Sequence, residues 1–217
     1  MIKENNYQSP ISLHYADAMK IKQTIEIYGR NEDSIYNKET KNFEVQKNII
    51  VTLHNKKYRL DEYHFHIPSE HKVNGEIYAA EIHYVFIELD KDFENSKNVK
   101  RKCSDICGCN QKEEKEEKEE KEEKEEKEEK EGIIVIGRVI HNYGQYKDLC
   151  NIQVKIPHYY FQYDGTLTVG NYSPVRWIIG ETPIHYDISQ LSGIAKNSRP
   201  LQPLDGRIIL HTEKHRK

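Results

Sequence analysis

Twenty consecutive residues, 112–131, contain nothing but seven Lys and thirteen Glu. No apolar side chain is available there to enter a core, so the chain must fold from what lies on either side. The KEE period of three matches neither a helix face nor a heptad. On a helix Glu114 would face Lys118 at i+4, but Lys115 would also meet Lys118 at i+3. Carrying a charge of 7 − 13 = −6, the run reads as a solvated insertion, either disordered or a frayed exposed helix.

The borders of that insertion are strand-like. Before it, AAEIHYVFIEL (79–89) is rich in β-branched and aromatic residues. After it, GIIVIGRVI (132–140) is an apolar run between glycines, the pattern of a buried central strand. Residues from about 95 to 131 are therefore expected to extend a loop inside one domain covering 1–217, not to link two domains. Elsewhere FEVQKNIIVTLH (43–54) and YRLDEYHFHI (58–67) alternate around the turn His54-Asn55-Lys56-Lys57. IPHYYFQYDGTLTV (156–169) and PVRWIIG (174–180) add further extended segments. Helical signals are weak outside ISQLSGIAK (188–196). The fold class expected is mainly β, a minor α+β variant, with mostly antiparallel strands in a single domain.

Composition removes some functions. A net charge of −3 gives no basic field for nucleic acid. No stretch approaches the roughly 20 apolar residues of a membrane-spanning helix. MIKENNYQSPISL lacks the apolar core of a signal peptide, so a cytoplasmic location is expected if the chain is complete. Cys103, Cys107 and Cys109 crowd into CSDICGC beside the charge run. They read as free thiols, since C-x3-C-x-C lacks the paired spacing of a zinc finger, with an adventitious or regulatory metal site or a disulfide as alternatives.

The chemistry concentrates in HFHIPSEH, from His64 to His71. On a strand, His64 and His66 point to the same face, about 7 Å apart. A third ligand must come from a neighbouring strand. His83, after the Asn74-Gly75 turn, is placed to supply it, with Glu81 and Val85 on its face. Three neutral imidazoles leave one tetrahedral position open, the layout of catalytic zinc, although copper, iron and nickel also accept nitrogen donors. Glu70 and Glu81 could ligate too, but carboxylates commonly orient metal-bound histidines, and Glu81 fits that role. H-x-H followed by Glu also resembles the first cupin motif, in which Glu70 would ligate. The later cupin element is not found after residue 83.

Taken in order, QSPI (8–11), HFHIPSEH, NGEIYAAEIHYV (74–85), GTLT (165–168), VRWII (175–179) and NSRPLQPLDGR (197–207) resemble an α-type carbonic anhydrase. The H-x-P-S-E-H loop is similar to bacterial and plant members. The Lys, Asn and Tyr bias resembles the Plasmodium-type η class. The resemblance implies one domain around a large twisted, mostly antiparallel sheet, with Zn2+ on His64, His66 and His83 at the bottom of a conical cleft. It implies that Thr168 orients a zinc-bound hydroxide and donates to Glu70. Val85, Val135, Leu167, Val175 and Trp177 would form the apolar wall for CO2, and Glu81 and Glu62 would support the ligands. Bottom-up, that wall is equally a set of plain core residues. Hydration of CO2 to bicarbonate and a proton would be the reaction, with sulfonamides or anions as inhibitors.

The chain departs from the family in several places. Lys41 stands where a histidine often shuttles the proton; an ordinary lysine is a poor relay at neutral pH, and exposed His54 is a weak substitute. Glu62 replaces a supporting glutamine. VGNYSP follows GTLT where the family has threonine and prolines, and the disulfide of secreted members is absent. The segment between Ile140 and Pro157 is shorter than expected, as though a helix and loop were missing. A non-catalytic carbonic anhydrase-like binding module is the alternative reading. Retention of the three histidines with Glu70, Glu81 and Thr168 favours the enzyme.

Overall fold

The structure is a computed structural model, and it describes residues 7–30, 34–89, 132–144, 148–168, 170 and 172–212. By contacts the chain divides into two units. Met1–Glu88 with Ile133–Lys217 is one, and Leu89–Gly132 is the other, almost all of it outside the described residues. The expected insertion at about 95–131 and the CSDICGC cysteines fall there too.

Fourteen strands are described: β1 (Ser12–Leu13), β2 (Ala18–Ile21), β3 (Glu26–Tyr28), β4 (Ile35–Asn37), β5 (Asn42–Glu44), β6 (Ile50–Leu53), β7 (Lys56–Ile67), β8 (Lys72–Val73), β9 (Ala80–Glu88), β10 (Ile133–Asn142), β11 (Tyr160–Thr166), β12 (Pro174–Tyr186), β13 (Lys196–Asn197) and β14 (Ile209–Thr212). Among the described residues the only helices are short 3-10 turns, including Ile188–Leu191 in the stretch with the weak helical signal. Twelve strands form one sheet in the order β2-β14-β11-β12-β10-β9-β7-β5-β4, with β13 and β6 also on β7 and β3 on β6. Most pairings are antiparallel, whereas β10–β12, β7–β13 and β2–β14 are parallel. The mainly β expectation agrees with this architecture.

Residues 43–54, read as one alternating segment, are two strands separated by a loop, because β5 and β6 pair with different parts of β7. The turn between β6 and β7 is narrow: His54 and Asn55 both have positive φ, 51° and 63°, the twist that suits a two-residue hairpin. Asn74 and Gly75, at φ 50° and 90°, make the corresponding turn before β9.

Period-two alternation sorts the sheet into two apolar layers. Tyr63, Phe65, Ile82, Tyr84, Ile134 and Ile136 lie in one buried cluster. Val85, Val135, Val139, Phe161, Trp177 and Ile179 lie in the other. The residues interleaved with them on β7 and β9 carry the polar chemistry.

Candidate metal centre

β7 and β9 run antiparallel with His64 directly opposite His83 and His66 opposite Glu81. One cross-strand register therefore converges three imidazoles. A ring nitrogen from each of His64, His66 and His83 lies within 4.8 Å of the others. All three side chains are buried, at 4%, 0% and 1% exposure, so the cluster is enclosed by protein and not a surface accident.

Two of the rings are held from behind by hydrogen bonds. His64 Nδ1 sits 3.0 Å from Glu62 Oε1. His66 Nδ1 donates to Asn197 O at 3.1 Å; a carbonyl can only accept, so this fixes the tautomer and leaves the Nε2 lone pair free. That buried Nε2 has no hydrogen-bond partner. His83 Nε2 lies 3.0 Å from Glu81 Oε1, at ion-pair distance but out of hydrogen-bond alignment.

Burial, with His83 and Lys196 nearby, holds His64 well below its ordinary range. Burial and the neighbouring His83 and His64 push His66 down to about 2. Both are therefore neutral, as metal ligands must be. Burial alone would lower His83 as well, but the Glu81 and Glu70 carboxylates outweigh it and raise its pKa. Glu62 is pushed up to about 7 by burial, opposed by Lys196 and His83.

Glu81 organises the loop after β7. Its Oε2 accepts from the backbone N–H groups of Glu70 and His71, both at 2.9 Å, and its Oε1 lies 2.8 Å from His71 Nδ1. Burial would raise its pKa, but His71 and His83 hold the carboxyl well below the usual range. His71 Nε2 is in turn 2.6 Å from Tyr163 Oη, which donates to Ser9 Oγ at 3.1 Å. Gly137, opposite His83 on β10, leaves room for all this. A Cβ there would lie 2.6 Å from Ile179 Cδ1 and 2.8 Å from Glu81 Oε1. The same geometry gives His71, Glu81 and His83 as a second possible ligand group. His71 and Glu81 are already engaged with Tyr163 and the loop backbone, which makes the three-histidine group the better metal site.

A sequence model of eukaryotic-type carbonic anhydrases matches residues 2–213. The chain belongs to the eukaryotic-type carbonic anhydrase family. The reaction class that goes with this family is hydration of carbon dioxide, a lyase activity. A carbonic anhydrase of Pectobacterium carotovorum is 24% identical over 213 residues, covering 94% of this chain and 79% of the relative. The α-carbonic anhydrase of Thermovibrio ammonificans, solved with the inhibitor sulfanilamide, superposes with a TM-score of 0.63 at 24% identity, covering 96% of this chain and 88% of that one. Cah3 of Chlamydomonas reinhardtii, solved with acetazolamide, gives a TM-score of 0.63 at 19% identity, covering 95% and 91%.

The remaining carbonic anhydrase positions can be placed against this fold. Val85, Val135, Val175 and Trp177 share one buried cluster with Leu167 packed on it. The Trp177 ring is centred 4.8 Å from the His83 ring, so that apolar wall adjoins the histidines. Thr168 is buried just beyond β11. Its expected hydrogen bond to Glu70 is not formed among the described residues. Glu70 Oε1 accepts from Arg199 N at 2.8 Å, and Oε2, which has no hydrogen-bond partner, lies 3.9 Å from His83 Nδ1. Lys41 Nζ donates to Ala195 O at 3.1 Å. His54 lies in the β6–β7 turn, on the order of 25 Å along the strand from His64, which removes it as a relay. Sequence reasoning gave no role to His71, Tyr163, Ser9, Asn197 or Arg199. Four of them stand inside the motifs quoted above, so the signal was present without a partner to interpret it. No described helix is long and apolar enough to cross a membrane.

Proposed function

We propose that this chain hydrates carbon dioxide reversibly, using zinc held by His64, His66 and His83. The observation that carries the reading is the buried, unpartnered His66 Nε2 within a cluster of three imidazoles, two of which are hydrogen-bonded on their outer sides. An isolated buried nitrogen of this kind is costly, and a metal ligated there removes the cost. A zinc ion held by His64, His66 and His83 would lower the pKa of water to about 7 and so provide a hydroxide nucleophile at neutral pH.

The protein's own groups do the rest. Glu62 and the Asn197 carbonyl orient His64 and His66, and Glu81 steadies His83. We assign the free Glu70 Oε2 to the Thr168 hydroxyl, a pairing that would set the direction of the nucleophile's lone pair. Carbon dioxide, being apolar, is taken against Val85, Val135, Leu167, Val175 and Trp177, where water is disfavoured. With Lys41 tied to a carbonyl and His54 distant, the proton leaves to buffer, so turnover is limited by proton transfer. Sulfonamides, which the Thermovibrio and Chlamydomonas proteins bind, are the inhibitors expected.

Metal analysis tests the ligand set. Wild type should retain one zinc per chain after dialysis, and His66→Ala should lose it while keeping its fold. Retention of zinc by folded His66→Ala would show that the ion sits elsewhere.

A further inference from the structure

The opposite face of the sheet carries a second polar feature that the metal centre does not use. Arg138, on β10, is 9% exposed. Its Nη1 donates to Lys155 O at 3.0 Å and its Nη2 to Thr182 O at 3.3 Å, while its Nε has no partner. Among the described residues no carboxylate pairs with it. The ionisable groups that act on it are the phenols of Tyr84 and Tyr186. Asp148 is the only acid on the cavity wall, and its oxygens accept from Cys150 N at 3.0 Å and Asn151 Nδ2 at 2.5 Å.

A guanidinium stays charged even where burial lowers its pKa, as it does here. A buried cation satisfied only by carbonyl dipoles is an expensive arrangement unless an anion completes it. The backbone makes a seat for it: Gly180, paired with Arg138 across β10 and β12, has no Cβ where one would lie 2.7 Å from Arg138 Nε. Beside Arg138 is a cavity of about 510 Å3, with an apolar side of Tyr84, Ile152, Pro183, Ile184 and Tyr186 and a polar side that includes Lys155 and His185. Part of its wall comes from the segment between β10 and β11, through Asp148, Ile152 and Lys155. A buried planar cation beside these apolar side chains suits a planar anion with a hydrocarbon body, not a fully hydrated inorganic ion.

We propose that this cavity binds an organic monocarboxylate, its carboxylate on Arg138 and its apolar body against Ile152, Pro183 and Ile184. The site is separate from the histidine cluster and does not depend on the carbonic anhydrase reading.

The test uses the full zinc-loaded chain with labelled isoleucine methyl groups, titrated with octanoate, octanamide and inorganic phosphate. Octanoate should give saturable shifts of the Ile152 and Ile184 methyls. Octanamide should bind roughly tenfold more weakly or worse, because a charged hydrogen bond is lost. Arg138→Met should weaken octanoate by a similar factor. If that variant fails to fold, the octanoate–octanamide comparison on wild type decides alone. Equal binding of the amide, no saturable shift at those methyls at millimolar octanoate, or phosphate displacing octanoate with equal affinity would each overturn the proposal.

Discussion

His66 condenses the argument about individual side chains. The sequence places it on one face with His64, but nothing in the sequence says that Asn197, 131 residues later, will hold its Nδ1. That contact exists because β13 lies parallel to β7, a pairing without a periodic signal over two residues. The consequence is measurable in the metal-free protein. His66 stays neutral in the folded state down to about 2, whereas in the unfolded chain it titrates near 6.5. A depressed histidine takes up its proton only on unfolding. The stability is thus fully present above pH 6.5 and falls as pH drops from there toward 2, by at most about 1.4 kcal/mol per unit. His83 carries the opposite sign, since its folded pKa is raised, and Glu62, pushed up to about 7, also opposes. The His66 contribution is isolated by comparing wild type with His66→Gln by urea denaturation at a series of pH values. The stability gap should shift in favour of the variant as pH falls from about 6.5 to 4.5. A gap independent of pH would contradict the buried, neutral state of His66.

Strands made the metal centre legible, because alternation and the Asn74-Gly75 turn already put His83 beside His64. Loops and short strands did not, since their positions are set by distant partners. Arg199 illustrates this: its backbone N–H holds Glu70, its Nη1 donates to Ser9 O at 2.8 Å, and Nη2 reaches Gln8 Oε1. QSPI and NSRPLQPLDGR are two halves of one clamp that resemblance could order but not assemble. Gly137 is the case where a strand glycine has a readable meaning, close approach of a neighbour. Gly137→Ala should force Glu81 or Ile179 to move and weaken zinc binding by roughly 10- to 100-fold, through lost support of His83. Competition with a chromophoric chelator measures this; unchanged affinity in a folded variant would show that Glu81 does not tune the site.

For the chain as a whole, the charged run and the sheet make a joint prediction. Ile87 pairs directly with Ile133, so the strand ends flanking residues 89–132 already meet. That connection is 132 − 88 = 44 residues long, and a four-residue turn should replace it without disturbing β9 or β10. Shortening the loop should raise stability by about 2 kcal/mol from closure entropy alone, read as a higher urea midpoint. A destabilised or unfolded product would show that the insertion contributes to the fold. The strand-rich class and the ordered motifs were both visible in the sequence, but the two-layer arrangement that places Arg138 behind the metal centre was not. It depends on register across β9, β10 and β12 together. The measurement that bears most directly on the whole account is stopped-flow hydration of carbon dioxide by the chain carrying one zinc, at low and high imidazole. The account predicts zinc-dependent acceleration that acetazolamide blocks and that rises with buffer, because Lys41 is tied to a carbonyl and His54 is distant. A folded protein with one zinc on His64, His66 and His83 and no acceleration at any buffer concentration would contradict it and leave a non-catalytic member of the family.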